Sequence, residues 1–315
     1  MFFIGLFRVH LFFRFLERPP TVQNSYPSDP ILDRLTCWAE GQPLVRAMIL
    51  SSTRAIPNTT PDIFSDYDVI LALSDVRPFF ESREWLAAFG TVLVMYRDPL
   101  DNRDGFLQSG NVVQFEEGLK IDFSLWQAEY LHQIAANPPL QDELDAGYRI
   151  LLDKDGLTRG LQPPTYKAYI PRPPTETEYL EAIEDSFLVA TYVAKYIQRG
   201  DLIAAKHILD NFLKQEHLRP MLEWHYEIDH HWSVKPGLHG RRMQQWLRPD
   251  LYADLQSTYT GAGFEENWQA LFNTLALLRK AVLEVGARLG FAYPAEMERR
   301  TLAYLQKIKN IGRIR

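Results

Sequence analysis

Cysteine is almost missing from this sequence: Cys37 is the only one among 315 residues. A lone cysteine excludes an internal disulfide and any multi-cysteine zinc or iron–sulfur site, and it suits a reducing, cytoplasmic setting. A basic excess is missing too. Lys and Arg number 34 against 40 Asp and Glu, a formal net charge of −6. That balance argues against a protein that tracks a phosphate backbone, so no nucleic-acid partner is expected. Uninterrupted apolar runs are short. In the opening MFFIGLFRVHLFFRFLERPP the apolar stretch is broken by Arg8, His10 and Arg14. It falls short of the roughly 20 apolar residues of a spanning helix, and no small-residue cleavage site follows. No stable membrane association is expected. What is present, 46% hydrophobic and 23% charged residues, is the composition of a globular chain with length for about two domains.

Residues 1–30, closed by the proline-rich PPTVQNSYPSDP, are expected to be a dispensable extension and linker outside the fold. No internal repeat is visible. The spacing predicts a helix over Ile31–Glu40, strands over Leu44–Ser51, Tyr67–Ser74 and Thr91–Tyr96, and a helix from Trp85 ending at Gly90. Asn111–Trp126 reads as a hairpin turning near Glu117 and Gly118, and Tyr148–Gly156 as a further strand. After the break at Pro163–Thr175 the pattern becomes helical. Thr175 and Glu178 form a capping box ahead of an amphipathic run to Arg199. Further helices are expected over Leu202–Gln215, Arg219–Trp232, Phe264–Leu289 and Pro294–Lys309. The fold class is therefore α+β, with a mixed sheet and flanking helices over 31–162 and a helical bundle over 175–310.

The chemistry-bearing residues are Asp66, Asp68 and Asp122. In SDYDVIL, Asp66 and Asp68 alternate with Tyr67 at the head of an apolar strand, so period two puts both carboxylates on one face. In KIDFSLW, Ile121, Phe123 and Leu125 take one face and Asp122 and Ser124 the other. Burying an unpaired aspartate in such a strand is costly, and crowded carboxylates repel unless a cation compensates. Hard oxygen donors favour magnesium, and strand-borne carboxylates with magnesium are suited to phosphoryl or nucleotidyl transfer. His225, His230 and His231 lack zinc-ligand spacing, and no cysteine assists them.

Ahead of the D-x-D strand, ILSSTRA (Ile49–Ala55) runs from a strand into a Ser/Thr-rich bend. The order of strand, small-hydroxyl turn, D-x-D strand and later strand aspartate resembles the nucleotidyltransferase superfamily of DNA polymerase β. The closer resemblance is to the aminoglycoside 6-adenylyltransferases, or streptomycin adenylyltransferases, from about Ile31 to Lys309. It is carried by VRAMIL with Arg54, FSDYD, WLAAFG and the KID strand. In the second half it is carried by YVAK, RPMLEW, SVKPG, YTGAGFEENW, LFNTLALLRK and GFAYP.

The resemblance implies transfer of AMP from ATP to a hydroxyl of a cationic, streptomycin-like aminoglycoside, a reaction that confers antibiotic resistance. Asp66, Asp68 and Asp122 would hold magnesium, with Asp122 on the acceptor side. Ser52, Thr53 and Arg54 would meet the phosphates, joined by Lys195 of YVAK. A cationic acceptor calls for carboxylates and a flat ring, for which Glu223, Trp224 and Glu227 are the candidates, with the acceptor expected between the two domains. A monomer is expected. Two departures stand out. The family's Gly-Ser pair falls on Ser52 and Thr53, and Ser52 brings a Cβ where glycine permits positive φ and close backbone approach. Leu238 stands where the family usually carries a lysine, with Lys235 and Arg241 as the nearby cations. Alternatives are a nucleotidyltransferase acting on another small molecule or a protein hydroxyl, and a non-catalytic nucleotide-binding relative.

Overall fold

The computed structural model describes residues 29–57 and 59–311; of the expected extension 1–30, residues 1–28 lie outside them, whereas Asp29 caps and Pro30 begins the first helix instead of belonging to a linker. The described chain opens with α1 (Pro30–Glu40), capped by Asp29, whose carboxylate accepts from the Ile31 N–H at 2.9 Å. The Tyr67 hydroxyl donates to the same carboxylate at 2.9 Å, so one side chain stops the helix and ties it to the first residue of β2. Leu32, Leu35 and Ala39 form the buried stripe of α1.

A mixed sheet follows: β1 (Val45–Ser51), β2 (Tyr67–Leu73), α2 (Arg77–Glu81), β3 (Val92–Arg97), β4 (Asp101–Arg103), β5 (Phe106–Phe115), β6 (Lys120–Gln127), α3 (Ala128–Ala136), α4 (Asp142–Asp145) and β7 (Tyr148–Asp153). Strand order is β3-β5-β6-β2-β1-β7, with β4 on β5. β2 and β6 run parallel, while β5 is antiparallel to both β3 and β6. Gly118, at φ +87°, makes the turn between β5 and β6. Ile121, Phe123 and Leu125 are buried and Lys120, Asp122 and Ser124 are half-buried on the other face, as the alternation predicts.

Under the buried face lies an aromatic cluster, with Trp38 5.0 Å from Phe89 and Trp85 4.8 Å from Phe123 between ring centroids. The expected helix at Trp85–Gly90 is instead a tight 3₁₀ turn over Glu84–Ala88. The Trp85 indole N–H is tied back to the carbonyls of Phe79 and Ser82 at 3.2 and 3.1 Å, which holds the ring in the cluster and leaves no length for α-helix.

The second half is helical. The capping box forms as read: the Glu178 N–H donates to the Thr175 hydroxyl at 3.2 Å and the Thr175 N–H to Glu178 at 2.8 Å. α5 (Glu176–Arg199) ends at Gly200, which is left-handed at φ +76°. Two separate helices were expected over Leu202–Trp232. The chain instead winds without a break through α6 (Leu202–Lys206), a π-helical stretch (His207–Leu218) and α7 (Arg219–Asp229). Pro220 has no N–H and its ring would crowd the preceding α-helical turn; the wider π winding before it lets the helix continue. α8 (Met243–Trp246), α9 (Pro249–Ser257), α10 (Phe264–Leu289) and α11 (Ala295–Asn310) complete the chain. The core of this half is built on Tyr179, Phe187, Leu213, Leu222, Trp268 and Leu278.

By packing, the chain divides into two compact units. One takes the described residues up to Ile49 with Asp66–His132 and Ile150–Thr158; the other takes Leu50–Ser65, Gln133–Arg149 and everything from Arg159. The turn after β1 and the segment before β7 thus pack with the helices.

Candidate active site

In the first unit, parallel pairing sets Asp68 of β2 opposite Asp122 of β6. Neighbouring strands lie about 4.8 Å apart, so these carboxylates share one level of the sheet. Asp66 precedes β2 by one residue. Between Asp66 and Asp122 stands a residue whose role sequence reasoning missed, Lys120. Its ammonium donates to Asp66 at 2.6 Å and to both Asp122 oxygens at 2.8 Å. Desolvation pulls this amine down, but Asp122 and Asp66 outweigh it and hold the ammonium above its ordinary range. The signal was in the KID triplet: the alternation that exposes Asp122 puts Lys120 on the same face.

Among the described residues no group of three or more His, Cys, Asp or Glu side chains converges as a formed metal site. The carboxylates of Asp66 and Asp122 converge on the ammonium instead. That nitrogen is a stand-in cation, and the oxygen donors around it fit magnesium in kind. Lys120, Asp66 and Asp122 are 28, 38 and 30% exposed, so the cluster is open to solvent.

In the second unit, Ser52–Ala55 forms a 3₁₀ turn straight after β1. Ser52 adopts φ +61°, the left-handed conformation that glycine would take freely. Its N–H donates to the Gly147 carbonyl at 3.1 Å. Gly147 itself has φ +133°, and a Cβ there would meet Ile56 at 2.9 Å and Tyr166 at 3.2 Å, so only glycine fits beside the turn. The Thr53 carbonyl accepts from the Thr59 hydroxyl at 2.8 Å. Arg54 donates to the Ser65 carbonyl at 2.9 Å and so braces the loop that leads to Asp66.

Lys235 of the SVKPG segment reaches the Ala146 carbonyl at 3.1 Å, next to Gly147. Burial lowers its pKa, against the pull of Asp145. Leu238 is 77% exposed, and Arg241 is exposed as well. Lys195 is half-buried on α5, with its ammonium 5.5 Å from the Tyr192 ring.

The acceptor candidates on α7 stand differently from the open acidic face that a cation was expected to meet. Glu227 has no exposed surface and Glu223 only 7%. Glu223 takes the Arg219 guanidinium at 2.7 Å, and Trp224 is half-buried. The helix is packed on more than one side, so i, i+4 spacing did not mean a solvent face. Burial raises the pKa of both carboxyls, with Arg219 opposing the shift at Glu223. Of the histidines, His225 is bound to Glu284 at 2.6 Å and His230 packs on Trp246 at 5.0 Å.

A family model described as streptomycin adenylyltransferase matches residues 28–308. The chain is 29% identical over 268 residues to an aminoglycoside 6-adenylyltransferase of Bacillus subtilis (strain 168), covering 84% of this chain and 92% of that one. It is 24% identical over 284 residues to the Campylobacter jejuni protein of the same name, covering 90% and 96%. A crystal structure of an aminoglycoside 6-adenyltransferase from Bacillus subtilis aligns at 25% identity and a TM-score of 0.44, covering 89% of this chain and 97% of that one.

Two outcomes follow from the site. Relief of left-handed strain at Ser52 is worth about 1–2 kcal/mol, and the unfolded-chain freedom of glycine takes back about 0.5–1 kcal/mol. Ser52→Gly is therefore expected to stabilise by about 0.5–1 kcal/mol in urea denaturation; a loss of stability would show that the serine side chain holds the turn. A carboxyl whose pKa rises on folding binds more protons folded than unfolded, so it withdraws stability as pH climbs through the unfolded value. Glu227→Gln is expected to melt higher than wild type at pH 8, with the gap closing below about pH 4. A gap that does not change with pH contradicts the buried carboxyl.

Proposed function

The chain belongs to the streptomycin adenylyltransferase family, a family of nucleotidyltransferase enzymes, and from that membership we propose that it transfers AMP from ATP to a hydroxyl of a streptomycin-like aminoglycoside. The hydroxyl oxygen bonds to the α-phosphorus, the bond from that phosphorus to the β-phosphate oxygen breaks, pyrophosphate departs, and the hydroxyl proton is lost. The observation that carries this reading is the pairing of Asp68 with Asp122 at one level of adjacent strands, with Asp66 joined to Asp122 through a cation.

Asp66, Asp68 and Asp122 are the residues that would hold magnesium. When bound, magnesium supplies a Lewis acid that neutralises the triphosphate and activates the acceptor hydroxyl. Asp122, on β6, is assigned to the acceptor side, where its carboxylate also orients the hydroxyl or receives its proton. The Ser52–Arg54 turn, whose Ser52 N–H is bonded to the Gly147 carbonyl, offers the Ser52 and Thr53 hydroxyls to phosphate oxygens. Arg54 acts there by bracing the 62–65 loop. Lys195, with a flexible stem and a compact charge, is assigned to the departing pyrophosphate.

For the acceptor, Glu223 already grips a guanidinium, that of Arg219. A streptomycin-like molecule carries guanidinium groups of its own, so exchange with Arg219 gives Glu223 a chemically matched ligand. Trp224 is assigned the flat surface, while Glu227, which has no exposed surface, is set behind the acceptor contacts rather than among them. Among the described residues no helix is long and apolar enough to cross a membrane.

Incubated with streptomycin, ATP and magnesium, the protein is expected to release pyrophosphate and raise the drug's mass by one AMP. Asp68→Asn is expected to slow this by about a hundredfold or more. Absence of an adduct from wild-type protein, or full activity in Asp68→Asn, would contradict the proposal.

A further inference from the structure

The carboxylate cluster carries a cation of its own, supplied by the chain. Lys120 and Asp122 share a face of β6, and the ammonium takes both Asp122 oxygens at 2.8 Å and one of Asp66 at 2.6 Å. Those oxygen lone pairs are the ones a divalent cation would use. An ammonium is a compact point charge on a flexible four-carbon stem, and at 28% exposure it can withdraw into solvent without unfolding the strand. The sheet leaves the aspartates no comparable freedom, because slipping β6 by one residue would bury Asp122 and expose Ile121.

We propose that Lys120 is a tethered counter-cation that holds the carboxylates together until a divalent cation displaces it, and so sets the threshold for metal loading. The proposal rests on the reading of Asp66, Asp68 and Asp122 as the metal-holding residues. Its physical content is competition. The ammonium offsets repulsion among the aspartates, which stabilises the fold before metal arrives. The same contacts must be surrendered when metal binds, which weakens the observed metal affinity by the fraction of time the ammonium is in place.

Manganese, a spectroscopic substitute for magnesium, is titrated into the nucleotide-free full-length protein and followed by electron paramagnetic resonance. Lys120→Met is expected to bind Mn²⁺ roughly tenfold more tightly than wild type. In EDTA its melting temperature is expected to lie below that of wild type, and Mn²⁺ to raise it by more than it raises wild type. Lys120→Arg, which retains a cation, is expected to stay within about threefold of wild-type affinity. If Lys120→Met does not fold without metal, Lys120→Gln is titrated with the same expectation. Unchanged or weaker Mn²⁺ binding on loss of the ammonium, while Asp68→Asn removes binding from wild type, overturns the role of Lys120 and leaves the metal reading standing. Undiminished Mn²⁺ binding in Asp68→Asn overturns both.

Discussion

Adjacent parallel strands carry Asp68 and Asp122 at one level, and Asp66 sits one residue ahead of the first of them. Like charges so placed repel, and the sheet cannot let them drift apart. Register is pinned by the opposite faces of the strands, where Val69, Leu71, Ile121 and Phe123 are almost wholly buried. The electrostatic cost has to be met by a cation, and the chain supplies Lys120 from the same strand. On the proposed reading, this balance of repulsion and compensation makes the cluster a receiver of positive charge. The aromatic floor beneath it, with Trp85 and Phe89 against Phe123, gives β6 the rigidity that such a receiver requires.

A second constraint operates in the turn after β1. Ser52 is held left-handed because its N–H is committed to Gly147, and Gly147 in turn tolerates no side chain. Lys235 fastens the carbonyl just before Gly147. The SVKPG segment is thereby connected to the turn through a chain of hydrogen bonds within one unit. Ser52 thus keeps, at an energetic cost, the left-handed conformation expected of the glycine that the resemblance implies there. Strain of this kind persists only where the surroundings over-determine it.

Most strands, α1, α10 and the capped start of α5 were legible because each rests on local chemistry: alternation, a capping box, a terminal glycine. The aspartates were legible for the same reason, since period two in SDYD and KID is visible without any partner strand. What depends on contacts distant in sequence was not. The tie of Trp85 to Phe79 and Ser82 tightens an expected helix into a 3₁₀ turn, and the π winding before Pro220 joins two expected helices. Glu223 and Glu227 read as an acidic face because spacing reports which residues share a side of a helix, not whether that side is covered. Gly147 carried no local mark at all; its meaning comes from Ile56 and Tyr166, which the chain brings against it.

On the proposed reading, the ammonium of Lys120 marks where metal goes. Crystals grown with Mn²⁺ and a non-hydrolysable ATP analogue, measured for anomalous scattering, test it directly. A peak is expected about 2.0–2.3 Å from oxygens of Asp66 and Asp122, the two that the Lys120 ammonium otherwise bridges, with that ammonium withdrawn from both. A manganese peak away from these aspartates, with Lys120 still bridging them, would contradict it.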